Sequence, residues 1–374
     1  MNAMPPFKLE EFWKKYEFTA PYLLCCSDAE SWAMHEIVEF ADNETKSLWQ
    51  SLRLGYTESS GLPLLRSEIA RLYQSISAEH VLTTAGAEEG IYATMRALLE
   101  LGDHVIIIDP CYQSLSTIAE RIGVDITRIK LEPNKQWQLD LDELKRAFRS
   151  NTKMLILNYP HNPTGTILTP ESYKELIQMA RHCGAYIFND EVYRYMEIDE
   201  TKRLASIADA YEKGIALNVM TKSFGLAGLR IGWLASQDVQ ALQKIGSYKL
   251  YLSICNSAPS EILALIALRA KEKLLQKSRT IMLDNLRYLS SFMQRQQHIL
   301  SWIPPQSGTV ALINLLLPIS ASQFSEQVVQ KSGVLIMPGT VFDLPDTYFR
   351  IGFARQNMPS ILDRFEEFLH SFRC

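Results

Sequence analysis

Between about residues 80 and 236 the chain alternates short runs rich in Val, Ile and Leu with amphipathic stretches. "HVLTT" leads into "GAEEGIYATMRALLEL", "HVIIID" into "YQSLSTIAERIG", and "VDITRIKL" into "LDELKRAFRS". "TKMLILN" then precedes "PESYKELIQMARHC", "AYIFND" precedes "EVYRYM", and "GIALNVMT" and "LRIGWLAS" close the series. Runs that are apolar nearly throughout are strands buried on both faces, and helices between parallel strands supply that cover. The pattern predicts an α/β fold with a mostly parallel, seven-stranded sheet flanked by helices. Such sheets bind ligands beyond the C-terminal ends of their strands. Residues with unusual chemistry should therefore come directly after strands.

The rest of the sequence predicts a smaller α+β domain. Residues 258 to 298 read as helix with few breaks, "GTVALINLLL" and "GVLIMPG" read as strand-like, and "MPSILDRFEEFLHSFR" reads as a closing helix. The expected division is 46–260 for the large domain and 261–374 for the small one, with residues 1–45 packing against the small domain. Hydrophobic residues make up 47 % and charged residues 21 %, an ordinary globular composition. A net charge of −4 gives no footing for nucleic acid or an anionic membrane. The six cysteines include the adjacent pair Cys25 and Cys26 but have no metal-ligand spacing, so reduced thiols and no metal are expected. The N-terminus lacks the basic, apolar, small-residue order of a signal peptide. No apolar run approaches the roughly 20 residues of a membrane span. A cytoplasmic protein is expected.

The strand ends bear out the demand for chemistry. In "TTAGAEEG", Gly86 and Ala87 lie between a strand and a helix. Free amides there, beside a glycine that permits close approach, suit a phosphate. An ordinary turn, with Glu88 favouring the helix dipole, explains the same residues. "IIIDPCYQS" offers Tyr112, an aromatic that can stack on a flat ring or cap the core. "NYPHNPTGTIL" is a rigid loop directly after a strand, and Asn162 is held in it beside Pro163. Its amide suits a ring oxygen or a carboxylate.

"FNDEVYRY" ends a buried run in Asp190, which needs a partner. The protonated ring nitrogen of pyridoxal phosphate is one, with Tyr193 donating to the ring oxygen; a helix N-cap is another role. In "NVMTKSFGLAGLRIGW", Lys222 stands among Val219, Met220, Phe224 and Leu226, flanks that predict burial. A buried ammonium is costly unless it is paired or neutral, and a lysine of lowered pKa attacks a carbonyl to form an imine. The planar fork of Arg230 matches phosphate oxygens. In "YFRIGFAR", Arg350 is placed to pair with a substrate carboxylate across a cleft, or to form a structural ion pair. Together these features name one cofactor, pyridoxal 5'-phosphate.

As a set the residues resemble the class I and II aminotransferases, fold type I pyridoxal-phosphate enzymes. The resemblance runs from Leu54 to Arg355. It rests on "GYTESSGLPLLRSEIA", "TAGAEEGIYATMRALLELGDHVIIIDPCYQS", "NYPHNPTG", "FNDEVY", "TKSFGLAGLRIGW", "GVLIMPG" and "FRIGFAR". It implies that Lys222 forms the cofactor imine and then moves a proton, and that Asp190 and Tyr193 share the catalytic work. Gly86, Ala87 and Glu88, through backbone amides, with Thr221 and Arg230, match the phosphate cup. Tyr112 matches the stacking aromatic, and Asn162 and Arg350 the substrate contacts. Tyr56 matches a tyrosine that reaches the neighbouring subunit's phosphate, which implies a homodimer.

The activity implied is ping-pong amino transfer between an L-amino acid and a 2-oxo acid. The pattern is most similar to the capreomycidine-synthase-like subgroup, so elimination, replacement or cyclisation on an amino acid is the alternative. A third reading, a non-catalytic cofactor-binding regulator, calls for a helix-turn-helix domain for which the residues before 54 leave no room. Two positions depart from the pattern. Val219 stands where many members carry a hydroxyl, and "LLCCSDAESWAM" stands where a Gly-Glu-Pro-like substrate loop is usual.

Overall fold

The computed structural model describes residues 4–371. Its large sheet has seven strands: β1 (Val81–Thr84), β2 (His104–Asp109), β3 (Asp125–Lys130), β4 (Thr152–Leu157), β5 (Tyr186–Asp190), β6 (Gly214–Val219) and β7 (Gly232–Ala235). Each lies within one of the apolar runs of the sequence. Their order across the sheet is β1-β7-β6-β5-β4-β2-β3. Pairing is parallel from β6 through β3, and β7 is antiparallel to both of its neighbours. Because β7 alone is reversed, the loop entering it lies at the same end as the loops leaving β1, β2, β4, β5 and β6. That end of the sheet holds the site.

Burial tracks position in the sheet. β6 and β7 are buried at every residue, whereas edge strand β3 buries only Ile129 and exposes Asp125, Arg128 and Lys130. A charged edge resists pairing with another sheet. The intervening helices stop and start where their sequences dictate. Before helix Pro170–Cys183, Thr169 Oγ1 accepts from the Ser172 amide at 3.1 Å, and Gly184 takes the left-handed φ of 68° that ends the helix. Helix Ala87–Leu98 lies close on the sheet at Gly90, where a Cβ would come within 2.8 Å of Leu217.

The small sheet runs Met337–Pro338, Tyr348–Gly352, Val310–Leu315, Leu300–Trp302, antiparallel throughout. Phe292, Phe324, Phe349 and Phe365 fill the space between it and its helices. This is the smaller α+β domain. The stretch read as helix over 258–298 is two helices, Ala258–Arg269 and Lys271–Arg295. The first packs into the large core through Ile262, Leu265 and Leu268; the second carries Met282, Leu289 and Phe292 into the small one. Phe372 and Arg373, read as the end of the closing helix, and Cys374 lie outside the described residues.

The N-terminal segment ties the domains together over the site. Tyr22–Leu23 pairs in parallel with Val334–Leu335, and Leu9 and Cys25 pack on Met337 and Phe342. Ile37 joins the large core. Residues 24 to 30 run beside Tyr348–Gly352: the Gly352 amide donates to the Leu24 carbonyl at 2.6 Å, and the Glu30 amide to the Ala354 carbonyl at 2.9 Å. A Cβ on Gly352 would overlap the Cys26 carbonyl, so this strand needs glycine there.

Candidate active site

Where β1, β2, β4, β5 and β6 end and β7 begins, a cavity of about 440 Å³ opens between the domains. It is lined by Ala87, Glu88, Tyr112, Asn162, Asp190 and Tyr193, and further along the sheet by Thr221, Lys222 and Arg230. Arg350 reaches it from the small domain. Every site residue expected from the sequence lines this cavity except Gly86 and Tyr56. Gly86 lies just behind Arg230, and Tyr56 is 89 % exposed, away from the cavity of its own chain.

Lys222 comes after β6 on a turn anchored by buried Met220, Phe224 and Leu226. Its Nζ donates to Ser27 Oγ at 2.8 Å and stands 6.0 Å from the centre of the Tyr193 ring. The apolar flanks of Lys222 predict its burial. The structure buries the flanks, leaves Lys222 half-buried and Arg230 exposed, because both project toward an open cleft. Arg230 takes a left-handed φ of 53°, turning its guanidinium against Gly86, which itself has φ 84°. A Cβ on Gly86 would come within 2.5 Å of Arg230 Nη2. Glycine thus leaves room for a guanidinium beside the N-terminus of helix Ala87–Leu98.

Asp190 ends β5 and is 4 % exposed. It caps no helix; its Oδ1 accepts from the Val192 amide at 3.2 Å. Burial pushes its carboxyl up to about 7, against the Val192 hydrogen bond and the Lys222 charge, with Glu88 adding to the rise. Among the described residues no cation forms an ion pair with it. The Tyr193 hydroxyl is buried and has no hydrogen-bond partner.

Arg350 is 1 % exposed, lies against the Phe342 ring, and donates to Asn162 Oδ1 at 3.1 Å and to the Cys25 carbonyl at 3.0 Å. Its Nε has no partner. A guanidinium only donates, so the Asn162 atom facing it must be oxygen, and the amide NH₂ points elsewhere. The Tyr112 ring lies 5.3 Å from that of Phe7, tilted by 56°, and its hydroxyl shares a hydrogen bond with Glu88; burial raises both the Tyr112 hydroxyl and the Glu88 carboxyl. Val219, the departure from the usual hydroxyl, packs against Val192, Tyr193 and Ala87.

Several lining residues escaped the sequence reading. Asn158 bridges two strand ends: its Nδ2 donates to the Asp190 carbonyl at 2.9 Å, and its Oδ1 accepts from the Asn162 amide at 3.1 Å. Its place directly after β4 was a usable signal. Leu9, Glu10 and Trp13 also line the cavity, and nothing in their local spacing marks them; Ser27, which lines it too, belongs to the "LLCCSDAESWAM" segment that stands where a substrate loop is usual. They arrive by the tertiary path of the N-terminal segment.

The profile of the aminotransferase class I and II family matches residues 27–365. The chain belongs to that family. This aminotransferase is 30 % identical to aspartate aminotransferase of Pyrococcus horikoshii over 335 residues, covering 84 % of this chain and 83 % of that one. It is 26 % identical to capreomycidine synthase of Streptomyces vinaceus, covering 94 % and 90 % of the two chains. A crystal structure of a PLP-dependent aminotransferase from Streptococcus suis superposes with a TM-score of 0.93 at 30 % identity, over 99 % of both chains.

The cofactor of the aminotransferase is pyridoxal phosphate, and the cavity fits it. A buried acid without a cation matches a protonated ring nitrogen. The partnerless Tyr193 hydroxyl matches a ring oxygen, and the glycine-spaced guanidinium at a helix N-terminus matches a phosphate.

Proposed function

We propose that this aminotransferase moves an amino group between an L-amino acid and a 2-oxo acid in two half-reactions, with Lys222 as cofactor anchor and proton carrier. The convergence of Lys222, Asp190 and Arg350 from three separate elements on one cavity carries the reading. Pyridoxal phosphate, when bound, supplies a carbonyl carbon for the amine and a cationic ring that draws electrons from the substrate Cα. Asp190 holds the proton on the ring nitrogen. Tyr193 and the free NH₂ of Asn162 donate to the ring oxygen, and Tyr112 covers one ring face. The amides of Gly86, Ala87 and Glu88, the Thr221 hydroxyl and Arg230 hold the phosphate.

Arg350 receives the substrate α-carboxylate on its fork and so orients the Cα–H bond toward Lys222. The Lys222 amine takes the Cα proton as general base. The exposed Tyr56 supports a homodimer in which this side chain completes the phosphate site of the neighbouring chain. Elimination, replacement or cyclisation on an amino acid uses the same residues. The likeness to capreomycidine synthase, spanning 94 % of this chain, supports that second reading.

Single amino acids added to the purified holoenzyme test the choice. Amino transfer is expected to change the cofactor absorbance and release about one 2-oxo acid per site without an acceptor, with parallel initial-rate lines. Ammonia release or intersecting lines would overturn it in favour of the second reading. Lys222→Ala is expected to abolish the borohydride-reducible link between protein and cofactor.

A further inference from the structure

Helix Lys8–Tyr16 closes the outer side of the cavity with Leu9, Glu10 and Trp13. Leu9 is buried, Trp13 is half-buried, and Glu10 is exposed at the mouth. Leu9 and Trp13 are one turn apart and share a face of the helix, so an apolar strip leads up to an acid.

The carboxylate and cationic side chains of the cavity are Glu10, Glu88, Asp190, Lys222, Arg230 and Arg350. With cofactor and amino acid in place as proposed above, Asp190 meets the ring nitrogen, Arg230 the phosphate and Arg350 the α-carboxylate, while Lys222 serves the reacting carbons. Glu88 is satisfied within the protein, by Ser114 Oγ donating at 3.3 Å and by Tyr112. Glu10 remains. Among the described residues no hydrogen bond or ion pair reaches its carboxyl. Partial burial and the Glu17 carboxylate, two turns further along the same helix side, push that carboxyl up, and Lys222 and Arg230 across the cavity oppose them. With both cations engaged, an acidic mouth is left facing whatever the substrate projects.

We propose that Glu10 selects the substrate: the cavity takes an α-amino acid whose side chain ends in an ammonium or guanidinium, its methylene stem on Leu9 and Trp13 and its charge on Glu10. The inference rests on the amino-acid reading above and adds to it the side-chain class. The face of an indole also attracts a cation, so Trp13 favours the same ligand. A dicarboxylate meets the reverse situation. Among the described cavity residues no cation is left for a second carboxylate, and Glu10 repels one, so discrimination has both an attractive and a repulsive part. On this ground the donor differs from the one in the name of the aspartate aminotransferase relative.

The holoenzyme is titrated with L-arginine, L-lysine, L-ornithine, L-leucine, L-aspartate and L-glutamate. The change in cofactor absorbance gives a dissociation constant for each, separately from turnover. At least one of the three cationic amino acids is expected to bind tenfold or more tighter than leucine, aspartate and glutamate. Glu10→Gln, which keeps size and removes charge at an exposed, unpaired position, is expected to weaken that ligand at least tenfold more than it weakens leucine. Glu10→Lys is expected to tighten aspartate and glutamate. Aspartate or glutamate binding as tightly as the best cationic ligand, or equal losses for that ligand and leucine in Glu10→Gln, overturns the inference while leaving the amino-acid reading standing. A spectrum that answers to no amino acid overturns that reading and the inference with it.

Discussion

Lys222 Nζ donates to Ser27 Oγ at 2.8 Å, and Thr309 Oγ1 donates to the Ser27 carbonyl at 2.6 Å. The residue that touches the Lys222 amine is thus held by the small domain, while the lysine belongs to the large one. Next to it, Asp28 pairs with Arg355 at 2.9 Å, fixing the segment further. The amine direction is set jointly by both domains.

Ser27→Ala should therefore slow proton movement without loosening the cofactor. About a tenfold fall in kcat is expected, with cofactor affinity unchanged and a larger isotope effect from Cα-deuterated substrate. Ser27→Thr should restore most of the rate. An unaltered isotope effect in Ser27→Ala would leave the hydroxyl a structural role only.

The raised Asp190 carboxyl makes stability depend on pH. In the folded apoprotein it keeps its proton up to about 7, whereas the ordinary value is 3.8. Between those values the folded state binds more protons than the unfolded one, so stability falls as pH rises, by at most about 4 kcal/mol for this group. A protonated ring nitrogen beside Asp190 removes the penalty. Denaturant unfolding at pH 5 and pH 8 should show the decline in apoprotein, a smaller one in holoenzyme, and none from this source in Asp190→Asn. That variant should be inactive while its apoprotein is more stable at pH 8.

Arg350→Leu removes the donors to Asn162 and the Cys25 carbonyl along with the proposed carboxylate fork. Charge-assisted hydrogen bonds are worth about 1.5–3 kcal/mol each, so kcat/KM for amino acids should fall about 100-fold or more. Amines without a carboxylate should lose far less. Arg350→Lys should recover little, because one ammonium cannot hold Asn162 and a carboxylate in the same plane. Parallel losses for acids and amines would refute the fork.

Gly86→Ala combines a left-handed backbone position, φ 84°, with a Cβ that meets Arg230. Backbone strain of about 1–2 kcal/mol and a displaced guanidinium are expected. Cofactor should dissociate at least tenfold more readily on dialysis, read by absorbance, while the protein stays folded.

Much of the site was legible because its residues sit in the few positions after each strand. Buried strands announce themselves by apolar runs, and the residues just past their C-terminal ends are confined to one end of the sheet. Asn162, Asp190, Tyr193 and Lys222 could be placed by that rule alone. Exposure could not: Met220, Phe224 and Leu226 around Lys222 are apolar and buried, yet Lys222 itself is only half-buried, because burial belongs to the folded surface and not to sequence neighbours. Gly86 was assigned to the phosphate, and the structure adds that it makes room for Arg230.

By itself the sequence determined the seven strands, the end of the sheet where the candidate site lies, the cofactor and the family. All of these depend on short-range patterns, a period of apolar residues and the identity of the next few side chains. Only the tertiary structure decided that Ser27 meets Lys222, that Asn162 turns its oxygen to Arg350, and that Glu10 and Trp13 line the cavity. Those contacts join residues from opposite ends of the chain through the close approach of residues 24 to 30 to the Tyr348–Gly352 strand. Contacts of that range arise from packing between domains, which no local spacing encodes.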